Sequence, residues 1–153
     1  MSTSGTGQAP GLLEIVDDTD WTRPTPGTDP LAVEYFRRCA EGTLSIERCA
    51  DCGSSQHYPR GICMACGAVP DLVPVAGTGT VYSFTIVRQS GTPPFADMLP
   101  YVLALVDLDE GPRLMGNITD CDPTAVTVGA RVQAYMLRAT QEIAIPLWRL
   151  AES

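Results

Sequence analysis

The sequence predicts a mainly β protein with one amphipathic helix near its N-terminus. Three observations carry this. Thirteen prolines and fourteen glycines in 153 residues divide the chain into short segments, as turn-rich β folds require. From Leu72 onward, apolar residues follow the alternating or continuous patterns of strands rather than a 3.6-residue period. Between them, CADCGSSQHYPRGICMACG (Cys49–Gly67) holds four of the six cysteines as two CxxCG units.

Residues 1–27 are polar and rich in Gly, Thr and Pro, with an acidic patch at Asp17, Asp18 and Asp20. They read as an extended arm, ordered only where it lies on something, and Trp21 is the residue there that gains from burial. A helix is expected over residues 28–44: Asp29 is a good N-cap, Pro30 suits the first helical position and Gly42 the stop. Leu31, Tyr35, Phe36 and Cys39 fall on one face of it, and about three turns cannot stand alone in water. That face must be covered. The cysteine ribbon takes residues 45–71, and a strand domain takes 72–153.

In that last domain, GTGTVYSFTIVRQ alternates, with Val81, Ser83, Thr85 and Val87 opposite Tyr82, Phe84 and Ile86. PYVLALVDLD is almost continuously apolar and turns at Asp109-Glu110-Gly111-Pro112 into RLMGNIT. RVQAYMLRA and EIAIPLWRL follow, after a helical turn capped by Asp122 with Pro123 as its first residue. Five strands with a helical insert after the third outline a five-stranded OB-fold barrel; a sandwich needs about seven. Gly77 and Gly79 allow the bend in its first strand.

Two matched CxxCG units are the pattern of two zinc knuckles. Each tight turn aims two thiolates at one metal, and Gly53 or Gly67 takes the backbone angles that follow. Cys49, Cys52, Cys63 and Cys66 are therefore metal ligands. Four protein ligands leave no open position, so a zinc ion here is structural. A rubredoxin-type iron is the chemical alternative, whereas a thioredoxin-type dithiol needs a single CxxC at a helix start. His57 lies in the spacer and is not needed by a closed set of thiolates. Cys39 and Cys121 read as small core residues.

Eighteen acidic residues face ten basic ones, giving a formal charge of −8. A field of that sign repels polyphosphates and leaves no basic stripe for a nucleic acid. Every basic residue is an arginine, which excludes Schiff-base chemistry and a P-loop lysine. The single histidine has no evident catalytic partner. The acidic residues Asp107, Asp109 and Glu110 read as a solvated hairpin turn. No apolar run is long enough to span a bilayer, and the N-terminus has no secretory pattern, so the expected location is cytoplasmic.

Taken in order, CADCG…YPRGICMACG, GTGTVYSFTIV, PYVLALVDLDEGPRLMGNI and VGARVQAYM resemble the thiolase-associated zinc-ribbon/OB-fold proteins, long catalogued as a domain of unknown function. The resemblance covers about residues 28–150. It implies a non-catalytic accessory subunit in a hetero-oligomer with a thiolase-fold enzyme, sharing that enzyme's acyl-CoA. The implied partner is first a retro-aldolase (a lyase) of steroid side-chain degradation, of the cholesterol or bile acid type, in lipid metabolism. A true thiolase or an acyl-CoA hydratase comes second. The CoA candidates it implies are Tyr58 and Arg60, then Arg88 and Arg113. The partner surface would use Trp21, Leu31, Tyr35 and Phe36. By fold analogy alone, a ribbon joined to an OB barrel also suggests a nucleic-acid module. The charge balance and the few aromatic residues oppose that.

Overall fold

Asp29 opens helix α1 (Pro30–Ala40), its carboxylate accepting the N–H of Leu31 at 2.8 Å. The helix ends where Gly42 turns into positive φ and donates its N–H to the Cys39 carbonyl. Both ends follow the sequence signals. A computed structural model describes residues 11–27 and 29–152. The proposed arm therefore falls partly outside the described residues, over 1–10, as does Thr28 of the helix segment.

After α1 come the three ribbon strands, β2 (Ser45–Arg48), β3 (Ser55–Gln56) and β4 (Asp71–Pro74), in the order β3-β2-β4 and antiparallel throughout. Strand β5 (Thr78–Val87) then forms an antiparallel meander with β6 (Tyr101–Leu108) and β7 (Arg113–Thr119). The turn at Pro123–Ala125, capped by the Asp122 side chain, leads to the hairpin of β8 (Arg131–Arg138) and β9 (Ala144–Leu150). Strand β8 pairs back onto β5, and β9 returns parallel to β7.

Three details depart from the sequence reading. The sheet has six strands, not five, because the arm supplies β1 (Ile15–Asp17), parallel to the second half of β8. Strand β5 begins at Thr78, opposite Gln133 of β8, and β1 covers the edge of β8 left unpaired beyond it at Met136–Arg138. An uncovered edge is an invitation to aggregate. The barrel is also not closed along its length: β7 and β9 pair only at Ile118–Trp148 and Thr119–Arg149. Pro146 of β9 has no N–H to give a ladder, which favours an open seam.

The third departure is within β5. Val81 faces Val106 and Ser83 faces Leu105, leaving Tyr82 as the extra residue of a β-bulge. The bulge reverses the alternation. Val81 is buried, but beyond it Phe84 and Ile86 turn inward opposite Ala104 and Val102, while Ser83 and Thr85 face out. The simple period-two reading fails from that point.

One core joins the parts. Tyr35 and Cys39 of α1, Leu44 and Ile46 of the ribbon, and Val81, Val106, Met136 and Trp148 of the barrel form a single buried cluster. Each such aliphatic side chain contributes about 1.5–3 kcal/mol by leaving water. Cys39 is fully buried in this cluster as a core residue, while Cys121 is half-buried and packs against its outside.

Candidate metal centre and the adjoining cleft

The two knuckles are copies of one turn. The Gly53 N–H reaches the Cys49 carbonyl at 2.8 Å, and the Gly67 N–H reaches that of Cys63 at 2.8 Å. Gly53 and Gly67 hold φ of 77° and 84°, in the left-handed region that glycine tolerates. The four Sγ atoms lie within 4.8 Å of one another, with Cys49–Cys66 at 3.5 Å and Cys52–Cys63 at 3.6 Å. Tetrahedral zinc thiolate requires sulfurs about 3.8 Å apart. Backbone N–H groups of Cys66 and then Ala65 point at the Cys63 sulfur and draw its pKa down to about 7. The donor set fits a structural zinc ion.

A buried acid organises the spacer between the knuckles. Glu47 on β2 is 3% exposed. Its carboxylate accepts the backbone N–H groups of Arg60 at 2.7 Å and Gly61 at 2.9 Å, and the Gln56 amide at 2.8 Å. Gln56 in turn accepts from the Met64 N–H and donates to the Ile62 carbonyl. Residues 56–64 are thereby tied to the sheet. Sequence reasoning missed Glu47, since a single acid in a short strand carries no local sign of the partners that bury it.

The spacer presents Tyr58 and Arg60 together, both exposed. Arg60 and Arg88 form no ion pair among the described residues. Arg88 stands apart, just past the end of β5. Arg113 lies at the start of β7, where it grips Asp107 at 2.6 and 3.2 Å and stacks on Tyr82 at 3.4 Å. The neighbouring hairpin acids are similarly occupied. Asp109 binds Arg131 and Thr78, which hold its carboxyl at about 2, and Glu110 accepts the Ala76 N–H.

Of the residues expected to meet a partner, Leu31 is 40% exposed and its side chain lies against Gly61, and Phe36 is half-buried. Tyr35 is not on that surface. It is 2% exposed, its ring edge-on to Phe36 and against His57, because the helix turns this position into the core. Trp21 is half-buried with the Arg23 guanidinium over its ring at 4.2 Å.

Where α1, the spacer and the open β7–β9 seam meet, they enclose a cleft of about 190 Å³. Phe36, His57, Tyr58, Met115, Gly116 and Pro146 are among its walls. The His57 ring packs on Tyr35 and Tyr58, and burial pushes its pKa down to about 4 against the opposing charge of Glu47. It is a neutral imidazole at pH 7. Sequence reasoning did not find this cleft, though Pro146 within a strand was a readable sign of a gap.

Two family models divide the chain between them: the rubredoxin-like zinc ribbon domain of ChsH2 over residues 36–70, and the C-terminal OB-fold domain of ChsH2 over 72–137. A DUF35 domain-containing scaffold protein of Methanocaldococcus jannaschii is 32% identical over 117 residues, covering 74% of this chain and 82% of that protein. The chain belongs to the DUF35 family. Within the family it is also similar to a solved structure described as the Ltp2-ChsH2(DUF35) aldolase. There the TM-score is 0.75 and the identity 35%, over 83% of this chain and 99% of that one. A probable enoyl-CoA hydratase alpha subunit of Thermomonospora curvata is 36% identical over 130 residues, or 84% of this chain. The chain spans 40% of that longer relative. Among the described residues, no helix is long and apolar enough to cross a membrane.

Proposed function

We propose that this DUF35 chain is a non-catalytic accessory subunit that binds a thiolase-fold enzyme and completes its acyl-CoA site. The partner we favour is a retro-aldolase of steroid side-chain degradation, in the cytoplasm. One observation carries the reading: the likeness to the DUF35 chain named in an aldolase spans 99% of that chain. In this role the zinc ion is structural, and it fixes the spacer that presents Tyr58 and Arg60. Arginine suits a CoA phosphate, because its planar fork donates two parallel hydrogen bonds. Among the described residues, Arg60 and Arg88 have no competing carboxylate; Arg113 would have to exchange Asp107 for phosphate. Leu31 and Phe36, with Trp21 on the arm, form the surface turned to the partner, and Tyr35 supports it from beneath.

A hydratase partner is the second reading. It is supported by the hydratase alpha subunits of T. curvata and of Mycobacterium tuberculosis, the latter 38% identical over 129 residues. A true thiolase stands beside it. The test is co-expression with a thiolase-fold retro-aldolase, a thiolase and a hydratase partner in turn. The expected result is an inactive chain alone and an active complex with the aldolase, whose apparent KM for acyl-CoA rises about tenfold in Arg60→Ala, as loss of a charged hydrogen bond implies. Acyl-CoA turnover by the isolated chain, or a salt-sensitive complex with single-stranded DNA and none with these enzymes, overturns the reading.

A further inference from the structure

The four thiols of the ribbon are not equivalent. Cys52 and Cys66 lie at the surface, whereas Cys49 is 1% and Cys63 3% exposed. Each surface cysteine faces a buried one of the other knuckle: Cys52 faces Cys63 at 3.6 Å, and Cys66 faces Cys49 at 3.5 Å. The cluster thus divides into two pairs, each with one sulfur that a solute reaches first and one held behind it. Cys39 and Cys121 stand outside this arrangement, the former fully buried in the core.

A zinc-bound cysteine is a thiolate, the form of sulfur that peroxides attack. Attack by Cys52 on hydrogen peroxide takes one oxygen and releases hydroxide, leaving a sulfenic acid. The Cys63 sulfur then displaces a second hydroxide and closes an S–S bond, for which the sulfurs draw together by about 1.5 Å. Cys66 and Cys49 follow the same course. In all, four thiolates, two peroxides and four protons give two disulfides and four waters; sulfur is oxidised and peroxide oxygen reduced. A disulfide sulfur carries no charge to hold a cation, so the metal is released. Four cysteines allow three pairings. The one this geometry selects is nested, Cys52–Cys63 inside Cys49–Cys66, and it keeps the two turns face to face. Glu47 then still holds the spacer by the N–H groups of Arg60 and Gly61. A thiol reductant returns the thiolates by exchange, and the preserved site takes zinc again.

We propose that the ribbon is a reversible, peroxide-sensitive zinc switch, in which oxidation joins Cys52 to Cys63 and Cys66 to Cys49 and releases the metal. This does not depend on the identity of the enzyme partner. The test exposes the zinc-loaded full chain to hydrogen peroxide, follows released zinc with a coloured chelator, and maps the products by mass. Trypsin cleaves after Arg48, Arg60 and Arg88, which separates residues 49–60 from 61–88 and so parts the two knuckles. After oxidation the two fragments should travel as one species, with Cys52 bonded to Cys63, and come apart on reduction. Dithiothreitol with zinc should restore the ¹H–¹⁵N spectrum of the untreated protein. Met64, 66% exposed beside Cys63, also takes oxygen from peroxide, so Met64→Leu is measured in parallel and should release zinc as the parent does. Zinc retained in excess peroxide, or lost from the parent but not from Met64→Leu, would overturn the proposal. So would a disulfide closed within each CxxC unit, sulfinic or sulfonic acids in place of disulfides, or a spectrum that reduction does not recover.

Discussion

The carboxylate of Glu47 accepts the backbone N–H of Arg60 at 2.7 Å across a sequence gap of 13 residues. With the Gly61 N–H and the Gln56 amide it holds the spacer in place. Glu47→Ala should cost on the order of 3 kcal/mol, because it strands buried donors. Glu47→Gln keeps one acceptor oxygen but sets its NH₂ against a backbone N–H that the second carboxylate oxygen now accepts, and should cost about 1–2 kcal/mol. Urea midpoints of the zinc-loaded proteins check this order; an alanine variant as stable as the parent refutes it.

Zinc removal should be more severe. Structural zinc contributes on the order of 10 kcal/mol to segments of this kind. Chelation should therefore release the amide protons of residues 49–67 to rapid exchange, and Cys49→Ser should lose the metal. A variant that keeps stoichiometric zinc, or a red iron-bearing protein, would contradict the assignment.

His57 makes stability depend on pH. Its folded pKa of about 4 lies below the ordinary value of 6.5, so the unfolded chain takes up the proton first. The contribution is complete above about pH 6.5 and is lost as the pH falls towards 4, by up to about 2–3 kcal/mol. Glu47 opposes the shift, and Tyr35 and Tyr58 are the other titratable neighbours. Unfolding measured at pH 5 and pH 8 should show a smaller difference in His57→Phe than in the parent. Comparing the two cancels the pH dependence of zinc binding, and equal differences would dismiss the idea.

Gly79 marks a close approach. A Cβ there would lie 2.6 Å from the Asp107 carbonyl oxygen and 2.7 Å from Val106 Cγ1. Gly79→Ala should cost about 1–3 kcal/mol through the forced displacement of β6. Gly91→Ala meets nothing within 4 Å and should be neutral. Thermal melts of the pair decide, and equal melting temperatures would show that β6 yields freely.

Local chemistry made much of this structure readable. Asp29, Pro30 and Gly42 bounded the helix, and the CxxCG spacing identified the four cysteines that cluster, because caps and knuckles are built by neighbours in sequence. The features that escaped depend on distant partners. The bulge at Tyr82 falls where β5 parts from β8 while staying paired with β6, so strict alternation misplaced Phe84 and Ile86. Strand β1 forms because β8 has a vacant edge, which nothing in Ile15–Asp17 announces. Tyr35 read as surface because one-face spacing shows that a stripe is apolar, not what covers it.

The shared core has a consequence for how the molecule comes apart. Family models part at residues 70 and 72, yet Leu44 and Ile46 of the ribbon pack in the same cluster as Val81 and Trp148, and the Val75 N–H bonds the Leu44 carbonyl. Neither piece owns an interior. Severed there, each would turn a raw oily flank to water, so the two melt as one cooperative body and loosening at the thiolates is felt at the far end of the barrel.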